Sequence, residues 1–448
     1  MRRTLIKNAT IVNEGERRKG SLLIEGEQIA EIWTAESPTP ADTHFDEVIE
    51  ADGCYLLPGA IDEHVHFRDP GMTQKADIST ESRAAAAGGV TSIMDMPNTQ
   101  PQTVTLEAWE QKMTLLAEKS VVNYSCYFGA TNQNYPLFPQ LDKHRVCGVK
   151  LFMGASTGNM LVDRLASLRH IFGGTDLLIA THCEDQNTIR ANTEQYKALY
   201  GDDPDVRFHP LIRSEEACFH SSSLAVQLAK ESGARLHVMH LSTARELTLF
   251  DQAPLAGKRI TAEACVPHLF FCEADYGALG TRIKCNPAIK TAHDREALRQ
   301  AVNSGLIDAI ATDHAPHLLT DKVGGALKAA SGMPMVQFSL VAMLELASQG
   351  IFSIEKVVEK MSHAPAQIYD IHRRGFIRRR YQADLVLVRP DTAWTVTKET
   401  VRSKCGWSPL EGQTLHWKVE KTFVNGRTLY SNGSLDDTCR GQELFFER

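Results

Sequence analysis

The chain has 448 residues, with 48 Lys and Arg against 55 Asp and Glu and a formal net charge of −7. Charged residues at 23% and aromatic residues at 7% are ordinary for a globular protein and argue against a disordered or fibrous chain. The negative charge disfavours a nucleic-acid partner, which needs a clustered basic face, and no apolar run approaches the ~20 residues that span a bilayer.

The N-terminal residues and the cysteines indicate the compartment. Residues 1–8 include basic side chains but lack the apolar core of a signal peptide. The ten cysteines are scattered and include no Cys-x-x-Cys pair, which is typical of free thiols in a reducing compartment. The sequence therefore predicts a cytoplasmic protein with no membrane partner.

Residues 1 to about 57 alternate in short strand-like pieces with glycine turns. Eight short, nearly continuously apolar stretches follow, as expected of strands buried on both faces of a parallel sheet. Helical stretches lie between them, for example at 79–87, 222–230 and 295–302. Eight strands alternating with helices predict an α/β fold, a (β/α)8 TIM-type barrel. The strands end at 64–66, 94–96, 127–129, 149–151, 180–182, 238–240, 262–264 and 311–313.

The C-terminal part of the chain returns to strands. Two of them are predicted at 383–388 and 421–426, and the Asn425-Gly426 pair in the second is a strong hairpin signal. We expect both chain ends to pair into one small β-sandwich domain. The predicted bounds are 1–57 and 376–448 for this domain and 58–375 for the barrel.

Side chains that suit a divalent metal stand at the ends of five of the barrel strands. The C-terminal mouth of such a barrel is where catalytic groups belong. A lone His-x-His pair would be weak evidence, but its coincidence with four further strand-end residues predicts a metal site. Imidazoles and a carboxylate suit zinc, with manganese, cobalt or iron as alternatives. The members are His64, His66, Lys150, His182, His240 and Asp313.

Lys150 is the unusual member, because an ammonium group beside two metal ions is repelled. Carbamylation by carbon dioxide would turn it into N6-carboxylysine, whose carboxylate can bridge two ions. The alternative is an ordinary salt bridge to Asp163 or another acid. We expect the bridge, since neutral histidines offset none of the charge on two dications.

Five stretches together resemble a known family: DEHVHFRDPG at 62–71, AAAAGGVT at 84–91, MPNT at 96–99, DHAPH at 313–317 and VNG at 424–426. They are similar to the dihydroorotase family of the amidohydrolase superfamily, and the resemblance covers nearly the whole chain. It implies a binuclear site in which His64 and His66 hold one ion and His182 and His240 the other. Lys150 would bridge the two ions, and Asp313 would complete the first site.

The resemblance also implies substrate contacts. Arg68, Asn98 and His317 would hold the carboxylate of dihydroorotate, and Asn286 would contact the pyrimidine ring. A guanidinium fork matches a carboxylate bidentately. The alternatives are a salt bridge from Arg68 to a neighbouring Asp and plain turn roles for the two asparagines.

The segment around Lys150 departs from one branch of the family. Many bacterial enzymes of the longer dihydroorotase class carry an Asp where the bridging lysine is expected, and residues 149–153 are more similar to lysine-bridged hydantoinases and allantoinases. An allantoinase or a dihydropyrimidinase is therefore the nearest competing interpretation. A non-catalytic scaffold homologue is less well supported, because such proteins usually lose metal ligands.

We therefore expect a dihydroorotase, which reversibly cyclises N-carbamoyl-L-aspartate to L-dihydroorotate in de novo pyrimidine biosynthesis. In the hydrolytic direction a hydroxide held by the metals attacks the ring amide, and Asp313 moves the proton to the leaving nitrogen. Ser156 and Thr157, in a small polar loop, are candidate substrate contacts if that loop closes, or else part of an ordinary turn. The expected partners are a small-molecule substrate and a second copy of the chain, and aspartate carbamoyltransferase is a candidate associate.

Overall fold

The computed structural model describes residues 1–34, 44–154 and 160–448. Its strands are β1 Arg3–Asn13, β2 Glu16–Glu25, β3 Gln28–Thr34, β4 Glu47–Glu50, β5 Tyr55–Pro58, β6 Ala60–Val65, β7 Val90–Asp95, β8 Asn123–Cys126, β9 Phe128–Gly129, β10 Val149–Phe152, β11 Ile179–His182, β12 Leu236–Val238, β13 Ile260–Cys265, β14 Ala309–Ala311, β15 Leu385–Arg389, β16 Trp394–Thr395, β17 Thr414–Leu415, β18 Lys418–Val424, β19 Arg427–Ser431 and β20 Ser434–Leu435. Its α-helices are α1 Ile78–Ala87, α2 Leu106–Lys119, α3 Leu165–Gly173, α4 Gln186–Tyr200, α5 His209–Ile212, α6 Glu215–Ser232, α7 Val266–Phe270, α8 Tyr276–Leu279, α9 Ala292–Ser304, α10 Ser339–Ser348, α11 Ile354–Val358 and α12 Ala364–Ile368.

The barrel is formed by β6 to β14. β6, β7 and β8 pair in parallel, and β9 to β14 continue in parallel in chain order, with β8 and β9 as two parts of one interrupted strand. A parallel bridge between Val65 and His314 joins the first strand to the segment after the last. The structure thus confirms the predicted fold class, a TIM-type barrel joined to a small β-domain from both chain ends.

The barrel strands are short and buried on both faces, which explains their continuously apolar sequences. All four residues of β11 are buried, and β10 pairs with it in the register Lys150 to Ala180 and Phe152 to His182. Parallel pairing places the carboxyl ends of the strands at one edge. The polar residues that end each strand therefore meet at one mouth.

The helices between the strands have clear sequence signals at their ends. The Asp77 carboxylate accepts from Thr80 N at the start of α1, and α1 stops before Gly88. Gly89, at φ +82°, lies so close to Val386 that an added Cβ would stand 2.7 Å from its side chain. This close approach packs α1 against the terminal sheet. No described helix is both long and apolar enough to cross a membrane.

The terminal strands form one sheet in the order β20-β19-β18-β15-β5-β1-β2-β3, with β4 pairing on β1. β5 ends at Pro58, one residue inside the range predicted for the barrel, and β15 begins at Leu385, within the C-terminal range predicted for the β-domain. All ten cysteines lie in the described ranges, and none forms a disulfide.

A buried polar cluster, here called the Arg374 network, joins this sheet to the barrel. The Arg374 guanidinium donates to Asp384, to Asn425 Oδ1 at 2.8 Å and to Gln442 Oε1 at 3.1 Å. Asn123 of β8 donates to Asp384 Oδ2 at 3.1 Å and accepts from Asn425 at 2.8 Å. Every charge in this network is matched by a partner.

The segment between β16 and β17 reaches the barrel mouth. Trp407, which is fully buried, donates from Nε1 to the carbonyl oxygen of His317 at 2.7 Å. The C-terminal part of the chain therefore anchors one wall of the mouth.

Candidate metal centre and substrate site

A cavity of about 50 Å³ lies at the carboxyl ends of the barrel strands. It brings together all six predicted metal-site residues with Arg68, Asn98 and Asn286. The lining residues are His64, His66, Arg68, Asn98, Lys150, Phe152, His182, His240, Asn286, Asp313, Ala315, Ser331 and Gly332.

A larger cavity of about 520 Å³ lies at the opposite, amino ends of the strands. Its charged side chains are largely paired with each other or with neighbours. Arg235 pairs with Asp370 at 2.7 Å, and Lys258 pairs with Asp308 at 2.9 Å. The chemistry therefore points to the smaller cavity at the mouth.

His64, His66 and Asp313 form the first cluster. Asp313 Oδ1 lies 3.0 Å from His66 Nε2 and 3.3 Å from His64 Nε2. The three ligand atoms all lie within 4.8 Å of one another. This is the set that the sequence assigned to the first ion.

His182 and His240 form the second cluster. His182 Nδ1 lies 2.9 Å from His240 Nε2, and the two rings are 4.7 Å apart between centroids. The His240 ring also lies 5.2 Å from that of His64, so the two clusters are neighbours. The structure thus brings both predicted histidine pairs together, and one of them, with Asp313, forms a candidate metal site.

Three further side chains accept hydrogen bonds from the second ring nitrogen of three of these histidines, here called the outer nitrogen. The ring nitrogens in the contacts just described are the inner nitrogens. His64 Nδ1 donates to Glu263 Oε1 at 2.9 Å, and His66 Nδ1 donates to Asn98 Oδ1 at 2.8 Å. On the other side, His182 Nε2 donates to Glu184 Oε2 at 3.0 Å. Such contacts fix ring orientation and leave the inner nitrogen as a lone pair.

Sequence reasoning missed Glu263 and Glu184. Glu263 lies in the seventh barrel strand, two residues before its end at Cys265, and its carboxylate also accepts from His240 N at 2.9 Å. Glu184 follows His182 by two residues and pairs with Arg213. Their positions beside the strand ends are the only signal that could have singled them out.

The inner nitrogens fit cations. Burial lowers the pKa of His66 to about 4, and burial also lowers the pKa of His182 and His240, so these three rings are neutral at neutral pH. Because His66 Nδ1 and His182 Nε2 donate to Asn98 and Glu184, the inner nitrogens of these two rings carry lone pairs. Imidazole nitrogens beside the Asp313 carboxylate are a donor set that suits zinc.

Three of the site residues have strained backbones. Arg68, His240 and Asp313 have φ values of +63°, +41° and +47°. Non-glycine residues avoid this region, and such strain concentrates at functional sites. The strained backbone at these three residues therefore sets the direction of their side chains, at a cost in conformational energy.

Lys150 is fully buried beside the second cluster. Its Nζ lies 2.8 Å from Met239 Sδ, and among the described residues it forms no ion pair. The sequence alternative, a salt bridge to Asp163, is not formed, because Asp163 instead accepts from Asn132 at 3.4 Å. Burial lowers the pKa of Lys150 to about 8, which increases its neutral amine fraction.

Arg68 is 3% exposed and lines the cavity without an ion pair to any described residue. Neither neighbouring acid binds it, because Asp69 pairs with Lys119 at 2.8 Å and Asp62 accepts from Thr312 at 2.6 Å. Its Nε donates to the Pro316 carbonyl oxygen at 3.2 Å. A buried guanidinium without an ion-pair partner favours the binding of an anion, because an unmatched buried charge is costly.

The other predicted substrate residues lie around Arg68. His317 contacts Arg68, with 3.2 Å between its Nε2 and Arg68 Nη2, and stands outside the residues that line the cavity. Asn286 lines the cavity, and its Oδ1 accepts from His209 at 3.1 Å. His268 lies outside this group and donates to Pro287 O at 3.0 Å. Ser156 and Thr157 lie outside the described residues.

Comparison with known proteins follows this geometry. The chain matches the "Amidohydrolase family" over residues 55–429. It is 33% identical to a dihydroorotase of Halobacterium salinarum over 423 residues, which are 93% of this chain and 95% of that protein. It is also 31% identical to an allantoinase of Bacillus velezensis over 435 residues, 96% of this chain and 94% of that one.

A solved structure is also similar over its full length. The L-hydantoinase (dihydropyrimidinase) from Arthrobacter aurescens superimposes with a TM-score of 0.92 and 27% identity, covering 97% of this chain and 98% of that one. These three similar proteins carry three different enzyme names.

Proposed function

The chain belongs to the amidohydrolase family, and we propose that within it this protein is a dihydroorotase, interconverting N-carbamoyl-L-aspartate and L-dihydroorotate. It is a metal-dependent cyclic amidohydrolase, and the proposal concerns which cyclic amide it takes. Two divalent ions, most simply zinc, would be held by the two histidine clusters.

The observation that carries the proposal is the unpaired, buried Arg68. Its pKa falls to about 10 because of burial, so the guanidinium still carries a full charge at neutral pH. Dihydroorotate has a carboxylate that can neutralise this charge within the cavity. Allantoin and dihydrouracil have none, and their binding would leave a buried charge unmatched, which is costly.

Asp313 is suited to move the proton. Burial alone would raise its pKa, but the imidazoles of His64 and His66 hold the pKa well below the usual range, so the group is ionised. Metal ions bound here would polarise the amide carbonyl and activate a water. Asp313 then accepts the proton of that water and returns it to the leaving ring nitrogen as the amide C–N bond breaks.

We propose that Lys150 is N6-carboxylysine in the active protein. The support is its complete burial, the lack of an ion pair among the described residues and its place on the wall of the cavity that both histidine clusters line. A carbamate supplies two oxygens and a negative charge where two dications would otherwise repel. The lowered pKa favours the neutral amine that reacts with carbon dioxide.

The test is turnover by zinc-reconstituted protein of four compounds: dihydroorotate, N-carbamoyl-L-aspartate, allantoin and dihydrouracil. We expect ring opening of the first and ring closure of the second, with kcat/KM for dihydroorotate at least ~100-fold above those for allantoin and dihydrouracil. Faster turnover of allantoin than of dihydroorotate would instead favour an allantoinase, the name carried by the Bacillus velezensis relative. A metallated protein that turns over none of the four would favour the scaffold interpretation. Homo-oligomerisation and association with aspartate carbamoyltransferase stay predictions.

A further inference from the structure

A second set of side chains suited to a metal lies in the barrel strands, further from the mouth than the histidine clusters. Glu63 of β6 precedes His64 along its strand, and His237 of β12 precedes His240. With Glu263 of β13 they form a group here called the Glu63 cluster, in which one ligand atom from each residue lies within 4.8 Å of the other two. All three side chains are completely buried, and none of them lines the cavity at the mouth.

Four polar atoms of the Glu63 cluster have no hydrogen-bond partner among the described residues. They are both carboxylate oxygens of Glu63, Oε2 of Glu263 and Nε2 of His237. His237 Nε2 lies 3.7 Å from Glu263 Oε2, which is beyond hydrogen-bond distance. Buried polar atoms in folded proteins nearly always have a partner, so four such atoms in one place indicate a ligand that contacts them together.

The other polar atoms of Glu263 and His237 are engaged elsewhere. Glu263 Oε1 accepts from His64 Nδ1 and from His240 N, both at 2.9 Å. His237 Nδ1 lies 2.8 Å from Thr261 Oγ1. Each side chain is therefore held through one polar atom, while the other polar atom belongs to the Glu63 cluster.

The Glu63 cluster also concentrates negative charge. The ion-pair contacts of Glu263 are to the imidazoles of His64 and His237, and Glu63 forms no ion pair within the described ranges. Neither carboxylate is therefore balanced by a Lys or Arg side chain of the described residues. Two buried like charges at this distance repel, and each is costly without a counter-charge.

A proton or a water molecule would match these atoms only in part. One proton removes one charge and can join at most two of the four atoms through a hydrogen bond. A water molecule can donate to two of them and leaves both charges in place. A dication balances both carboxylates and can contact all four atoms at once.

We propose that the Glu63 cluster binds a divalent transition-metal ion, separate from the two ions of the mouth. Both oxygens of Glu63, Oε2 of Glu263 and Nε2 of His237 would be its ligands. His237 then carries its ring proton on Nδ1 and donates it to Thr261. The ion joins β6, β12 and β13, and its place in the barrel does not depend on which cyclic amide the protein takes.

The ligand set selects among dications. Ca²⁺ takes about 6–8 oxygen ligands and Mg²⁺ usually keeps several waters, which a completely buried group of three oxygens and one nitrogen does not provide. Carboxylates with an imidazole in a four-ligand set suit zinc, and manganese, iron and cobalt accept similar ligands. Zinc is therefore the probe.

The direct test locates metal in crystals of the full chain, expressed with zinc in the medium so that the ion enters before the barrel closes. We expect an anomalous peak at the zinc edge between Glu63, His237 and Glu263, in addition to zinc at the mouth. The mouth serves as the internal control for zinc supply. Metal at the mouth without zinc, manganese, iron or cobalt at the Glu63 cluster would overturn this proposal alone. Absence of metal from both places would overturn it together with the metal centre.

Metal analysis of variants is the second readout. Glu63→Gln and His237→Gln each remove one ligand group, and we expect about one zinc ion per chain fewer than in wild type, lost from the Glu63 cluster. Glu246→Gln is the matched control, because that buried carboxylate accepts from Ser222 and Thr243. It should keep the wild-type zinc content. Equal zinc content in all three variants and wild type would overturn the assignment of these ligands.

Discussion

Arg68 and Arg374 are both buried arginines, and their surroundings differ. Arg374, where the terminal sheet meets the barrel, is 5% exposed and donates to a carboxylate and two amide oxygens. Arg68, at the barrel mouth, is 3% exposed and donates to a backbone carbonyl oxygen, with no ion pair to any described residue. The first arrangement is complete within the chain, whereas the second leaves a buried cation without an ion-pair partner among the described residues.

The same contrast holds for the groups around each arginine. In the Arg374 network donors meet acceptors throughout. At the mouth, by contrast, imidazole nitrogens lie beside the Asp313 carboxylate, and the Arg68 guanidinium has no ion-pair partner among the described residues. The first group suits cations and the second suits an anion.

The largest expected loss of activity follows a substitution after the eighth barrel strand, and a residue before the same strand provides the control. Asp313→Asn removes the proton acceptor at the mouth, and we expect kcat/KM for dihydroorotate to fall by at least ~1,000-fold while the fold is kept. Asp308, at the other end of β14, pairs with Lys258 at 2.9 Å. Asp308→Asn is the matched control and should lower stability without a comparable loss of kcat. Near-normal turnover by a folded, metallated Asp313→Asn protein would remove Asp313 from the mechanism.

Two buried lysines offer the next comparison. Lys150 forms no ion pair among the described residues, whereas Lys112 pairs with Asp95 at 2.8 Å. Lys150→Ala should lose paired metal binding and activity, measured by metal analysis and turnover, and short carboxylates with bicarbonate should restore part of both. Lys112→Ala should lose stability and gain nothing from these additives. Electron density for an unmodified Lys150 in a fully active, two-metal protein would refute the carbamate.

The Arg374 network should respond in stability alone. Arg374→Met leaves the Asp384 carboxylate buried without its partner, so we expect the free energy of unfolding to fall by about 3–5 kcal/mol. Denaturant titration measures this change. The kinetic constants for dihydroorotate should stay within about twofold of wild type, because the network lies away from the mouth. A large change in KM instead would show that the two regions are coupled.

The smallest expected effect is a loss of metal affinity on substitution of Glu184, which accepts a hydrogen bond from the candidate metal ligand His182. Glu184→Gln keeps an oxygen for His182 Nε2 but loses the charge that Arg213 balances. We expect metal affinity to fall about 10- to 100-fold, measured by competition with a chelator. Glu246→Gln is the control, since the Glu246 carboxylate is buried among Ser222 and Thr243 and contacts no ligand histidine. An equal loss of metal affinity in both variants would show that Glu184 has only a structural role.

The sequence predicted the barrel and the place of the metal cluster well, because buried parallel strands are continuously apolar and end at a common edge. His64, His66, Lys150, His182, His240 and Asp313 could be read from strand ends alone. Glu263 could not, since its partner His64 lies 199 residues away along the chain. Contacts of this kind depend on how distant segments meet, and local spacing carries no signal for them. The Arg374 network could not be predicted from the sequence for the same reason.

The most direct test of the central claim is the substrate preference of Arg68→Met, measured beside wild type with dihydroorotate and dihydrouracil. These two substrates share a ring and differ by the carboxylate that Arg68 is proposed to bind. We predict that wild type prefers dihydroorotate and that Arg68→Met lowers kcat/KM for it by about 100-fold with little change for dihydrouracil and no loss of stability. A wild-type preference for dihydrouracil, or full dihydroorotate activity in Arg68→Met, would contradict the claim.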